Sequence, residues 1–437
     1  MYKLSLDKNN AQYGRMTFTS EKGQKPKSIR LKSGESSLPL LVSGQGIVLF
    51  RHTKADQTCI FFLYTHDKSD GFRIELTQTA VVVHRISTNQ SYVDPNNTSG
   101  LTNYPGAYYW FSLDAQNQAL LCGVGEARVE TVIYRATMEY TSDDERKANK
   151  KFMESIVSVQ VASDSDVEPI RMIRDPVTVK IPAIVRPTET LSMDDVASGM
   201  YLPKANLPLP AQQLYDCISG SQFTLDTEDF PDFVQAIENS IKNLSGWCYQ
   251  TLQAKSHEFS KDKPNLNETY SRITLGQNNG ESPGIPYVME IWPVGHYSPI
   301  HNHSEAHAII RVLNGEITVS QFPFLCATQD GIKPFSITNF HKNQITWISP
   351  TLNQTHQLHN LPENASTCIT IQCYLYDQKD NEHYDYFDYV DSDGNIQQYE
   401  PDSDMDFVDF KELMKKEWEN RLVASRSLLS CFSCTTA

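Results

Sequence analysis

No stretch of the chain approaches the ~18–20 consecutive apolar residues that a membrane-spanning helix needs. The N-terminal MYKLSLDKNNAQYGR lacks the apolar centre of a secretory signal, so the sequons at Asn97, Asn243 and Asn364 are expected to be chance occurrences. No block of Lys and Arg with interleaved aromatics occurs. With 38 basic against 53 acidic side chains the net charge is −15, which argues against nucleic acid as a partner. The nine cysteines are odd in number and scattered, with no CxxC pair in the folded body; that suits reduced thiols and a cytoplasmic protein. Internal repeats are also missing.

What is present is the composition of a globular protein, 21% charged and 10% aromatic, in 437 residues, enough for two domains. The fold class expected is mainly β: an N-terminal antiparallel β-sandwich, then a C-terminal barrel preceded by helices. In residues 1–165, short runs rich in Val, Ile, Phe and Tyr (GIVLFRH, TCIFFLYTH, GFRIEL, YYWFSLD) alternate with turn-forming residues at roughly ten-residue spacing, the pattern of a sandwich. His52, His66 and His84 are dispersed among them as structural side chains. A Pro-rich stretch, 166–212, reads as an extended connector. In DFPDFVQAIENSIKNLSGWCYQTLQ, apolar residues recur at Phe233, Ile237, Ile241 and Leu244, a helix with Asp229 as N-cap. Period-two alternation returns in VMEIWPVG, HAIIRVLNGEITVSQF, QITWISP and CITIQCYLY, strands of a second domain over 213–410. Residues 411–437 read as a helix and tail. The tail ends Cys434-Thr-Thr-Ala, the layout of a lipidation site with Cys431 as a second position. Thr is not aliphatic and the neighbouring basic stretch is thin, so an unmodified tail is expected.

The chemistry concentrates in PVGHYSPIHNHSEAHAIIRVLNGEITV, where four of the 12 histidines fall between residues 296 and 307. His301 and His303 are two apart, so on a strand they face one side and can aim at one ion. Gly295, His301, His303 and Gly315 have the spacing of the first cupin motif. His356, four residues before Asn360, has the H-x(3)-N spacing of the second. Where cupins place a Glu, five residues after the second His, this chain has Ala308; Glu305 and His307 stand at the wrong offsets. Three neutral imidazoles without a carboxylate leave a divalent metal its full charge. That favours anionic ligands, a thiolate above all. His296, His307 and His359 read as supporting side chains, His341 and His383 as exposed. Cys368 and Cys373 face opposite sides of one strand.

Segment 210–400 resembles the cysteine dioxygenase family of thiol dioxygenases. GHYSPIHNHSEAHAIIRVLNGEI is similar to that family's GHGSxIHDHxxSHxxxxxLxGxL motif, and Tyr270-Ser271-Arg272 resembles its Y-T-R segment. The resemblance implies Fe(II) held by His301, His303 and His356, with a small thiol and O₂ as reactants. It implies Arg272, beside Tyr270, as the grip on a substrate carboxylate, and Tyr374 as the active-site tyrosine. Two departures accompany it. The Cys of the family's Cys–Tyr thioether is replaced by Ala308, and the family's relay His by Gln372, which can orient a hydroxyl but cannot shuttle a proton. The N-terminal YYWFSLDAQNQALLCGVGE resembles a farnesoic-acid-methyltransferase-like sandwich domain, which implies binding of a ligand that the sequence does not identify. Three readings of function stay open: a dioxygenase for cysteine or a similar thiol carboxylate, a dioxygenase for an amine-bearing or peptide thiol, and a non-catalytic metal-binding cupin that acts as a ligand-binding module.

Overall fold

The computed structural model describes residues 28–30, 37–52, 58–92, 94, 100–101, 107–162, 165, 167–259, 263–275, 287–303, 306–326, 332–375 and 387–433. Glu305, His383 and Cys434 lie outside the described residues. The chain divides into two compact units, Met1–Ile181 and Pro182–Ala437.

In the first unit, strands form two six-stranded antiparallel sheets. One runs in the order Ser28–Arg30, Val167–Ile173, Gln45–His52, Tyr108–Asp114, Ala119–Val124, Val132–Thr137. The other runs Ser37–Pro39, Ile156–Val161, Cys59–Thr65, Gly71–Leu76, Val81–Arg85, Ser91–Tyr92. Cys59–Thr65 alternates buried and half-buried side chains, as a strand with one face on a core must. Phe61 from this sheet packs on Phe50 and Phe111 from the other, with ring centroids 4.5 and 5.1 Å apart. These aromatics fill the layer between the sheets. The expected sandwich is therefore present. His84 bonds Ser91 and His52 is buried away from it.

The stretch 166–212 is not a connector. Val167–Ile173 is a strand of the sandwich, with a register shift between Glu168 and Arg171. Ile184–Arg186 and Tyr201–Pro203 are paired strands of the second unit, and Leu209–Ile218 is a helix. Prolines punctuate this region, but the apolar alternation between them still builds strands, because Pro is tolerated at bulges and strand edges.

The second unit is a barrel of two facing sheets. The larger has eight strands in the order Tyr201–Pro203, Ile184–Arg186, Ile345–Ile348, His307–Asn314, Cys368–Leu375, Tyr287–Trp292, Ser271–Leu275, Met405–Asp406. The smaller comprises Ser336–His341, Glu316–Gln321 and His356–His359, beside a hairpin of Phe387–Val390 and Ile396–Tyr399. One apolar cluster joins them: Trp292 and Val312 from the large sheet meet Ile317, Phe340, Leu358 and Phe387 from the other side. Alternation sorts each strand. On Cys368–Leu375, Cys368 joins this interior cluster, whereas the Cys373 thiol turns outward to the Leu214 carbonyl on helix Leu209–Ile218.

The single helix expected after residue 229 is two, Phe233–Lys242 and Trp247–Lys255. Asp232 occupies the N-cap position, while Asp229 ion-pairs with Lys411 at 2.9 Å. Leu244 is exposed in the break between the helices. Both helices pack on the C-terminal helix Phe407–Ser433 through Phe233, Trp247 and Phe410. No helix among the described residues is long and apolar enough to cross a membrane.

Candidate metal centre

His301 and His356 face each other as an antiparallel backbone pair. Each N–H donates to the other's carbonyl, at 3.0 and 2.9 Å. Directly opposed residues put their side chains on one face, and His303, two residues on, shares it. Asn302 is fixed from the other side: its N–H donates to the Asp388 carbonyl at 2.9 Å, and its Oδ1 accepts the Asp388 N–H at 3.2 Å. The three imidazoles form a nearly equilateral triangle, with centroid separations of 4.9, 4.8 and 4.9 Å.

Backbone carbonyls choose the tautomers. His301 donates its Nδ1–H to the Pro299 carbonyl at 3.0 Å, and His356 donates its Nδ1–H to the Asn353 carbonyl at 3.1 Å. Both rings therefore keep the Nε2 lone pair for an ion, the usual way outer partners prepare ligating imidazoles. Nε2 of His303 lies 3.1 Å from Nε2 of His356. Two nitrogens bound at ~2.1 Å to one ion at a right angle lie ~3.0 Å apart, so the spacing suits ligands of a common metal. Burial holds all three rings neutral: it lowers His301 to about 4 and His356 to about 3, and pushes His303 well below the ordinary imidazole range. Neutral imidazole is the form a metal binds. Among the described residues, these three form the one group of His, Cys, Asp or Glu side chains placed to hold an ion.

Two motif residues explain their own presence. Asn360 is fully buried and donates its amide to the carbonyls of Trp292 (2.8 Å) and Ser366 (3.1 Å), pinning the strand that carries His356. Gly315 has φ +67°, and a Cβ there would stand 2.7 Å from the Thr367 carbonyl oxygen.

The triangle opens on a narrow cavity that leaves about 40 Å³ for the centre of a water-sized sphere. Tyr270, Arg272 and Tyr374 line it together with all three histidines, so the structure brings every predicted site residue to one place. Tyr270 stacks on Trp292 with centroids 4.2 Å apart. Ala308 is the cross-strand neighbour of Tyr374 and packs against it. The Tyr374 hydroxyl donates to Oε1 of Gln372, and the Gln372 amide donates to Glu290. Arg272 closes the chain of contacts by donating to the other Glu290 oxygen at 3.0 Å. Val312, Phe340, Leu358 and Phe387 supply an apolar wall.

Sequence reasoning missed Glu290 and Phe387. Glu290 left a signal, a lone charge in the apolar strand YVMEIW. Phe387 packs tilted against His301 with ring centroids 4.9 Å apart, but sits in the acidic stretch EHYDYFDYVDSD, where one aromatic among charges gives no sign of burial. The remaining histidines stay apart from the triangle. His296 bonds the Thr269 carbonyl at 2.9 Å, His359 packs edge-on to Tyr297, and exposed His341 pairs with Glu316.

The second unit is thus a mainly antiparallel barrel that draws two imidazoles from an H-x-H segment and a third from the neighbouring strand, an arrangement that can hold a metal ion. Residues 249–385 match the family model described as cysteine dioxygenase type I. The chain is 26% identical over 108 residues to cysteine dioxygenase type 1 of Danio rerio; the match covers 24% of this chain and 50% of that relative. The chain thus spans half the length of this curated relative. Among solved structures, the Schizosaccharomyces pombe Cnp3 cupin domain is 12% identical, with a TM-score of 0.20 over 26% of this chain and 68% of that one. A cupin-like protein of Thermotoga maritima is 15% identical, with a TM-score of 0.21 over 28% of this chain and 77% of that one. The family match falls in the C-terminal half, so the farnesoic-acid-methyltransferase-like reading of the sandwich rests on its sequence resemblance alone.

Proposed function

We propose that the second unit is a non-haem iron thiol dioxygenase that converts a small thiol into its sulfinic acid. The reaction balances as R–SH + O₂ → R–SO₂H, with sulfur oxidised by four electrons and both oxygen atoms of O₂ retained in the product. One observation carries the reading: three buried neutral imidazoles, two with tautomers set by backbone carbonyls, converge on one point within the residues that match the cysteine dioxygenase type I family model.

The donor set fits ferrous iron, because imidazole is a good ligand for Fe(II) and no carboxylate of the described residues joins the triangle. Iron held by His301, His303 and His356 would supply the redox chemistry and the positive charge that lets a thiol bind as thiolate. The protein's own groups do the rest. The apolar wall of Val312, Phe340, Leu358 and Phe387 keeps water from the reacting sulfur. Tyr374, held by Gln372, keeps a phenolic oxygen at a fixed place beside His303, where it can accept a hydrogen bond from substrate. Gln372 orients that phenol and passes no proton, so proton movement does not run through this side chain.

The test is to load the purified chain with Fe(II) without oxygen, add a panel of small thiols, and follow O₂ consumption together with sulfinate by mass spectrometry. One O₂ consumed per sulfinate supports the reading. Iron-loaded protein that consumes no O₂ with any thiol favours the non-catalytic binding module instead.

A further inference from the structure

We propose that Glu290 sets the substrate class: the site takes small aminothiols in preference to thiol carboxylates. This rests on the thiol dioxygenase reading above and names its substrate. Arg272 was the reason to expect a carboxylate on the substrate, since a guanidinium fork is the natural clamp for one. In the structure that guanidinium already holds a carboxylate from the protein itself. Arg272 and Glu290 are cross-strand neighbours, their Nη1 and Oε1 are 3.0 Å apart, and both side chains are 6% exposed.

The pair is part of the cavity wall rather than a distant brace, because both residues line the space that the three histidines face. Strand order gives Glu290 its importance. Its strand, Tyr287–Trp292, lies between the strand of Arg272 and the strand of Gln372 and Tyr374. Glu290 reaches both ways, accepting from Arg272 on one oxygen and from Gln372 on the other. A substrate whose sulfur lies at the histidine triangle beside Tyr374 therefore meets the Arg272–Glu290 ion pair rather than a lone guanidinium.

The distal group of the substrate decides the energetics, because the thiolate is common to every candidate. A carboxylate would have to share one guanidinium with Glu290 and sit against a like charge in a site shielded from water, which is costly. An ammonium faces acceptors instead. Each carboxylate oxygen has two lone-pair sites, and Arg272 and Gln372 use one on each. The remaining pair can take N–H donors from a substrate amine, and the negative charge favours a positive partner.

The experiment measures kcat/KM for 2-aminoethanethiol, 3-mercaptopropionate and cysteine with the iron-loaded full chain, its Glu290→Gln variant and its Arg272→Gln variant. The expected result is a preference of the natural chain for 2-aminoethanethiol over 3-mercaptopropionate of roughly tenfold or more. Cysteine, with both groups, should fall between. Glu290→Gln keeps the size and removes the charge, so it should cut that preference by roughly tenfold and free Arg272 for the carboxylate thiol. A natural chain that favours 3-mercaptopropionate, or a preference that Glu290→Gln leaves unchanged, overturns the proposal. If a variant does not fold, the order of the three thiols on the natural chain decides alone. Binding of the same thiols to cobalt(II)-loaded chain, read by thiolate-to-cobalt absorption, gives the order without turnover. Failure to consume O₂ with that binding order intact defeats the dioxygenase reading and leaves the specificity standing; a reversed binding order defeats the specificity.

Discussion

At the scale of single residues, the site separates groups that hold a metal from groups that shape the space beside it. His303 is the ligand with the least support of its own: its Nε2 faces His356, and burial strongly opposes its protonation. Replacing it by Ala leaves two imidazoles for the metal. His303→Ala is expected to lower bound iron by roughly tenfold or more, with folding retained. Metal analysis beside circular dichroism checks this, and full iron occupancy in the variant would remove His303 from the ligand set. Tyr374 has a different role. Tyr374→Phe removes the hydroxyl that donates to Gln372 without opening a cavity. Iron content should then be unchanged while oxygen consumption falls roughly 10- to 100-fold. Unchanged turnover would reduce Tyr374 to a packing residue beside Ala308.

At the scale of elements, the barrel depends on a few buried polar locks. Asn360 is one: its side-chain amide joins the carbonyl of Trp292 on one strand to that of Ser366 ahead of another. Asn360→Ala leaves the buried Trp292 carbonyl and the half-buried Ser366 carbonyl without this partner and should destabilise the second unit by about 1–3 kcal/mol, seen in urea unfolding monitored by tryptophan fluorescence. A loss below about 0.5 kcal/mol would mean that water replaces the amide freely. Asn360 also shows what a sequence displays openly. Its offset from His356, the H-x-H pair and the glycines at 295 and 315 are local patterns, each forced by local geometry, and they were legible. So was the strand Cys368–Leu375, whose two faces are both buried, one in the barrel interior and the other under helix Leu209–Ile218. Three features were not. The strands within 166–212 are short and interrupted by proline, so propensity points to a connector while pairing partners far away decide otherwise. The hairpin 387–399 hides Phe387, Tyr389 and Tyr399 among acidic residues whose burial depends on tertiary packing. Glu290 is a lone charge whose meaning comes only from Arg272 across the sheet. Local rules write the ligands into the sequence, whereas the lining of the cavity is a product of long-range register.

At the scale of the whole molecule, burial of opposite kinds of titrating group makes stability depend on pH from both sides. On the acid side stand His301, His303 and His356. Their folded forms resist protonation, with His301 near 4 and His356 near 3, whereas the unfolded chain takes up these protons near ~6.5. Between those limits the unfolded state binds more protons, so the metal-free protein loses stability as pH falls below ~6.5. Iron competes with the same protons and should hold the melting temperature up through this window until acid displaces it. On the other side stands Glu268, which burial, helped by the charge of Asp391, raises to about 7. Its unfolded carboxyl ionises near ~4.3, so between there and about 7 the folded state binds the extra proton and stability falls as pH rises. Glu268 is only partly shielded from water, so solvent screening limits the cost to about 1–2 kcal/mol at most. Glu268→Gln removes the ionisation and keeps the size. The variant should therefore melt higher than the natural chain at pH 8 and hardly higher at pH 4, where Glu268 is protonated in the folded chain and mostly so in the unfolded one. Melting curves at pH 4 and 8, with chelator and with iron, separate the two effects. Histidine protonation predicts an acid-side loss that iron suppresses, Glu268 an alkaline-side gain on substitution that iron leaves alone. A gain from Glu268→Gln that is equal at both pH values would show that the carboxyl acts through packing rather than through its charge.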